Sequence, residues 1–286
     1  MNQKTINKKI KIKGIGLHSG KESKVEIIPS DINTGINFIR EDVSPNEQIK
    51  GLFYNVQNTM LATSIVHNGI EIKTIEHLLS ALSGLHIDNA IVKVYGPEIP
   101  ILDGSSKIFI EEILKAGIKI QEAKRKYLRI KKEVIVRQDD SYAKFTPYEG
   151  SKFSFGINYN NKAIDSTPSE ATFILKERNF INEISNSRTF GFEKEIEHLK
   201  KEKLILGGSL DNAIVVTDNA ILNKEGLRRE DEFVKHKILD AIGDIYLSGY
   251  PILGAYDGYK SGHRLNNLLV RKLMTTDPDN FEIIEL

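Results

Sequence analysis

The sequence predicts an α+β fold built from two similar domains, and three observations lead there. Hydrophobic periodicity switches between the two-residue period of strands and the 3.6-residue period of helices along the first half. Two segments of that half, His77-Leu78-Leu79-Ser80-Ala81-Leu82 and Asp88-Asn89-Ala90-Ile91-Val92, have echoes further on. These are Lys237-Ile238-Leu239-Asp240-Ala241-Ile242 and Asp211-Asn212-Ala213-Ile214-Val215. The length of 286 residues also suits two domains at roughly 100–200 residues each. Two such domains packed face to face would leave a cleft, where ligands usually bind.

The elements follow in order. Residues 24–28 (Lys-Val-Glu-Ile-Ile) alternate polar and apolar and stop at Pro29, as a half-buried strand does. Residues 61–66 and 70–73 read as strands around Asn68-Gly69, a hairpin turn signal. From Thr74 to Leu82 the period becomes helical, with Ile75, Leu78, Leu79 and Leu82 on one face, Thr74 as N-cap and Gly84 as C-terminal cap. Residues 90–95 form a strand, and residues 106–116 a second helix closed at Gly117. The polar run Glu122-Ala123-Lys124-Arg125-Lys126 reads as a solvated linker. It sets a boundary between residues 1–123 and 124–286, after which residues 127–136 alternate as a strand. Residues 155–159 form another strand, and residues 230–248 a long helix.

Composition narrows the function classes. A 40% hydrophobic and 28% charged chain is globular in composition rather than disordered. Its net charge of +1 lacks the basic footprint of a nucleic-acid binder. With no cysteine there are no disulfides, thiolate nucleophiles or Cys-type metal sites, so any metal must sit on histidines and carboxylates. Residues 1–13 are polar and lysine-rich, unlike a signal peptide, and no apolar run approaches the ~18 residues of a membrane span. The expectation is a cytoplasmic protein.

Candidate chemistry falls on few segments. Gly14-Ile15-Gly16-Leu17-His18-Ser19-Gly20-Lys21 lacks the spacing of either phosphate-loop type and precedes a strand, so it reads as a tight turn. No serine-hydrolase elbow and no His-Glu-x-x-His is present. On the long helix, His236, Asp240 and Asp244 lie at i, i+4 and i+8 within an arc of roughly 80°, which Lys237 widens to about 100°. That stripe is either a wet face or a site. Glu76-His77 opens the earlier helix, where the helix dipole favours the carboxylate and keeps the imidazole neutral, as a metal requires. An exposed Glu-His pair is the plain alternative. Together they suit a catalytic zinc site with His77, His236 and Asp240 as ligands and Glu76 as base. Ser187-Arg188-Thr189-Phe190-Gly191-Phe192 reads equally as a buried turn, and His263, after Gly262, as a loop histidine beside Lys260.

These segments resemble the UDP-3-O-acyl-N-acetylglucosamine deacetylase family, zinc enzymes of lipid A synthesis in Gram-negative bacteria. The matching stretches are Gly14–Gly20, Thr74–Leu78, Leu102–Ser105, Ser187–Phe192, Gly207–Ser209, Glu230–Asp244 and Lys260–His263, in family order over nearly the whole chain. The resemblance implies two α+β domains, each a layered sandwich of helices and sheet, with the active site in the cleft between them. It implies zinc on His77, His236 and Asp240, with iron able to take such a site in the cell. Glu76 would be the general base and His263 the acid that protonates the leaving nitrogen. Asp244 would orient His263, while Lys237 and Thr189 would stabilise the oxyanion. An insert at about 189–208 would form a passage for the substrate's acyl chain, from Phe190 to about Leu206 and including Phe192, Ile196 and Leu199. Lys260 would contact the UDP phosphates and Tyr159 the uracil.

The substrate implied is a small-molecule UDP-sugar lipid, hydrolysed at its N-acetyl group by a monomer. Peripheral association with the inner membrane would suit a product that feeds a membrane pathway. Residues 139–142 lack the lysine expected near the nucleotide end, and a fused dehydratase, found in some relatives, is not expected after the second domain. Two other readings compete: an amidohydrolase acting on a different N-acyl substrate, and a catalytically silent nucleotide–lipid binding module.

Overall fold

The computed structural model describes residues 1–286 and is α+β. Its first half carries a five-stranded sheet of β1 (Ile10–Ile15), β2 (Glu22–Pro29), β3 (Ile36–Arg40), β4 (Gln48–Lys50) and β5 (Ala90–Tyr95). Its spatial order is β1-β2-β5-β3-β4, antiparallel except for the parallel β5/β3 pair. The second half carries β6 (Val134–Gln138), β7 (Ser141–Thr146), β8 (Ser151–Gly156), β9 (Glu170–Ile174) and β10 (Ile252–Tyr259). Here the order is β6-β7-β10-β8-β9, again antiparallel except for β10/β8. Strands Lys126–Ile130 and Phe281–Glu285 extend this second sheet.

The repeat extends to the helices. α1 (Glu76–Gly84) precedes the central strand β5 and α2 (Lys107–Ala116) follows it. α3 (Glu232–Tyr246) precedes β10 and α4 (His263–Thr275) follows it. The echo between residues 77–82 and 237–242 therefore marks equivalent helices. The Asp-Asn echo does not mark equivalent strands: Ile214–Val216 pairs with Phe190–Phe192 in a small parallel ribbon, whereas β5 is central to its sheet.

The equivalent helices α1 and α3 pack against each other. All nine residues of α1 are buried, so its polar positions face protein as fully as its apolar ones. At Gly243 a Cβ would stand 2.1 Å from the Glu76 carbonyl oxygen, so only glycine permits this approach.

Several local expectations change. Thr74 does not cap α1: it has φ 57° and its hydroxyl donates to Glu98 Oε1 at 2.7 Å. Gly84 lies inside α1, which turns at Leu85 and at His86, with φ 59°. Gly84 serves packing instead, because a Cβ there would lie 2.2 Å from the Phe180 ring. The run expected as a solvated linker is ordered. Ile118–Lys124 pairs with Asn2–Ile6, and Arg125, 1% exposed, donates to Asp88 Oδ1 at 2.7 Å. Residues 127–136 belong to two strands, and the strand expected at 155–159 ends at Gly156. The Asn68-Gly69 hairpin is present, with φ 48° and 79° at its two turn residues.

Candidate metal centre

The seam between α1 and α3 holds the titratable cluster. Glu76 and His77 open α1, while His236, Asp240 and Asp244 take three successive turns of α3. All five are buried. His77 Nε2 stands 3.5 Å and His236 Nε2 3.3 Å from Asp240 Oδ1. That oxygen is buried without a hydrogen-bond partner. Ligands bound tetrahedrally at about 2.0–2.1 Å from one ion stand ~3.4 Å apart, so this spacing and donor set fit a divalent metal. The group His77, His236 and Asp240 could hold one.

The surroundings favour ligation. Ser187 O can only accept, so His236 Nδ1 donates to it at 3.1 Å and Nε2 keeps its lone pair. Burial lowers the His236 pKa to about 3, leaving a neutral ring. Burial would raise the Asp240 carboxyl, but the charged Lys237 holds it well below the ordinary range. Lys237 Nζ donates to Asp240 Oδ2 at 2.6 Å, and despite burial Asp240 holds the ammonium charged beyond its usual range.

Glu76 and His263 lie beside the trio. Burial raises the Glu76 carboxyl. His263 Nε2 faces Glu76 Oε1 at 3.8 Å, and its Nδ1 donates to Asp244 Oδ2 at 2.9 Å. Burial works against the imidazolium, yet Asp244 and then Glu76 outweigh it and raise its pKa to about 9. The cluster thus pairs a carboxyl of raised pKa with a protonated imidazole.

Thr63 was not visible in the sequence as part of this cluster. Its backbone N–H donates to Glu76 Oε2 at 3.0 Å and its hydroxyl to Asp244 Oδ1 at 2.6 Å, so one residue fixes both carboxylates. Asn266 Nδ2 likewise donates to Asp244 Oδ2 at 2.8 Å. The turn at 14–20 does cradle an anion, but an internal one: the His18 and Ser19 N–H groups donate to the Glu98 carboxylate, each at 2.9 Å.

The remaining anticipated residues lie around this core. Thr189, half-buried, is fixed by its N–H to Gly104 O at 2.8 Å. The Phe190 ring lies 6.2 Å from the His236 ring, and Tyr159 packs edge-on to Phe190 at 5.4 Å and tilted to Phe192 at 5.7 Å. Tyr159 is therefore part of the aromatic group beside the trio. Helix Glu193–Lys201 follows Phe192, and Leu206 closes back on the first half through its N–H to His18 O. Lys260 lies at the surface, paired with Asp140.

These features define an α+β protein of two repeated units with a candidate metal centre on the seam between their central helices. The sequence matches the family model for UDP-3-O-acyl N-acetylglycosamine deacetylase over residues 3–275. It is 46% identical over 286 residues to a UDP-3-O-acyl-N-acetylglucosamine deacetylase of Psychrobacter sp. (strain PRwf-1), covering all of this chain and 96% of that one. The enzymes of that name from Psychrobacter cryohalolentis and Marinobacter nauticus are 48% and 46% identical, each over 99% of this chain and over 88% and 93% of their own. The chain belongs to the UDP-3-O-acyl N-acetylglycosamine deacetylase family. No helix is long and apolar enough to cross a membrane.

Proposed function

We propose that the chain hydrolyses the N-acetyl group of UDP-3-O-(3-hydroxyacyl)-N-acetylglucosamine, giving UDP-3-O-acyl-glucosamine and acetate, with zinc on His77, His236 and Asp240. This is the committed step of lipid A biosynthesis. The observation that carries the reading is the buried trio of donor atoms flanked by Glu76 and a charged His263. When bound, the ion supplies Lewis acidity, lowering the pKa of water and polarising the amide carbonyl.

The protein's own groups do the rest. Glu76 takes the proton of the attacking water, and its raised pKa suits a base that must hold what it takes. His263, charged through Asp244, gives its proton to the glucosamine nitrogen as the C–N bond breaks. Lys237 and Thr189 are assigned to the developing oxyanion, where each fixed donor is typically worth ~2.7–4 kcal/mol. Because one group must be ionised and the other protonated, activity is bell-shaped in pH.

Phe190, Phe192, Ile196 and Leu199 are assigned to the acyl chain, and Lys260 and Tyr159 to the UDP-sugar. The functional units are residues 1–123 and 124–286, with the passage insert at about 189–208. The enzyme acts as a monomer in the cytoplasm, with peripheral contact to the inner membrane. The test is acetate release from the UDP-sugar lipid with and without a zinc chelator. Chelator-sensitive release supports the reading. Absence of release from folded, zinc-loaded protein overturns the substrate assignment.

A further inference from the structure

A second buried cluster lies behind His236 and touches neither Glu76 nor His263. Arg188 and Glu232 are 2% and 0% exposed. The Glu232 carboxylate receives N–H groups from the Arg188 backbone (3.0 Å), Arg188 Nε (2.9 Å), Arg188 Nη2 (3.1 Å) and the Arg228 backbone (2.6 Å). A carboxylate offers about four acceptor positions, so Glu232 is saturated. Arg188 also donates to Glu225 Oε1 at 2.8 Å and Gly226 O at 2.7 Å.

The placement of this pair gives it a consequence. Glu232 opens α3, and His236 stands one turn further along the same helix. Arg188 is flanked by Ser187, whose carbonyl accepts from His236 Nδ1, and by Thr189, whose N–H is tied to Gly104. Fixing the Arg188 backbone to the first turn of α3 therefore fixes Ser187 O against the His236 ring. That carbonyl keeps the ring proton on Nδ1 and leaves Nε2 directed at Asp240 Oδ1. A buried ion pair contributes little net stability compared with apolar side chains of like volume. Groups behind a ligating histidine, by contrast, typically change metal affinity by 10–100-fold.

We propose that Arg188 and Glu232 are positioning residues which hold the Ser187 carbonyl so that His236 stays in its Nε2-ligating tautomer. The same clamp fixes Thr189. The inference rests on the assignment of His236 as a ligand made above.

Glu232→Gln tests it. The amide keeps the shape but replaces an acceptor oxygen with a donor, turning N–H groups of Arg188 or Arg228 against an NH2. In metal-free protein with 15N-labelled histidine, the wild-type His236 ring is expected as the pure Nδ1–H tautomer and the Glu232→Gln ring as a mixture. Zinc affinity, measured by competition with a chromophoric chelator, is expected to fall roughly 10–100-fold. Glu225→Gln, altering an exposed partner of the same arginine, is expected to change neither reading. Circular dichroism establishes folding, and if Glu232→Gln does not fold, Arg188→Lys, which keeps the charge but loses the fork, carries the same expectations. A folded variant with a pure Nδ1–H ring and wild-type zinc affinity overturns the proposal. Wild-type protein that binds no zinc overturns the deacetylase mechanism instead, and the tautomer spectra still decide this inference.

Discussion

Asp244→Asn removes one negative charge from beside His263 without removing the side chain that holds it. Asp244 Oδ2 accepts from His263 Nδ1 and Asn266 Nδ2, and Oδ1 accepts from Thr63 Oγ1. An asparagine with its oxygen at the Oδ2 position keeps the first two bonds, and its amide can donate to a Thr63 hydroxyl turned to accept. The geometry survives and the charge does not. With the His263 pKa at about 9 against 6.5, the imidazolium is favoured by ~3 kcal/mol in the folded protein. Without Asp244, burial is opposed only by Glu76 and Asp240, and the ring pKa is expected to fall from about 9. The sign for stability follows from linkage. A folded pKa above the unfolded one stabilises fully below pH 6.5, and that contribution is lost as pH rises through about 9. Denaturant melts are therefore expected to show a deficit of up to ~3 kcal/mol for the variant below pH 6.5, vanishing above about pH 9. A ring NMR titration of metal-free protein checks the pKa directly, and the alkaline limb of acetate release should move to lower pH. A deficit that does not vary with pH, or an unchanged ring pKa, would refute the reasoning.

Three other outcomes are expected. Glu76→Gln should fold and keep its metal while acetate release falls by ~10²–10⁴-fold; loss of metal would put Glu76 among the ligands. Asp240→Asn takes the carboxylate from Lys237 Nζ as well as from the ion. Metal content should drop, and denaturant melts of the metal-free forms should show a loss of ~3–5 kcal/mol from the unpaired buried ammonium. Gly84→Ala should cost ~1–3 kcal/mol in a melt, because its Cβ meets the Phe180 ring at 2.2 Å; an unchanged melt would mean that the Phe180 ring gives way to the added methyl.

The candidate metal trio was legible because residue chemistry limits it. Without cysteine, a metal needs histidine and carboxylate, and α3 carries both at one-turn spacing. The supports were not legible, because they come from far along the chain. Thr63 reaches Asp244 across 181 positions, and Ser187 reaches His236 across 49. The same distance explains the misread local signals. Thr74 has the identity of an N-cap, but Glu98 captures its hydroxyl. Arg125 looked solvated among charged neighbours, but Asp88 draws it inside. Gly254 and Gly258 weaken the strand signal of β10, although a Cβ at Gly254 would lie 2.5 Å from Ile130 and one at Gly258 2.6 Å from the Tyr256 hydroxyl.

The repeated strand order explains why the site lies where it does. Two units of like topology bring their equivalent helices, α1 and α3, together along one seam, so ligands can come from both. Equivalence alone would place like residues opposite like. The two helices differ in what they bring: the first turn of α1, with Glu76 and His77, meets α3 along the stretch from His236 to Asp244. Gly243 then lets the Glu76 backbone sink against α3 between the turns that carry Asp240 and Asp244. Glu76 is thereby set beside the candidate metal trio on one side and the Asp244–His263 pair on the other. Glu76 and His263 thus stand side by side on one seam, because at Gly243 the two helices approach more closely than any side chain would allow.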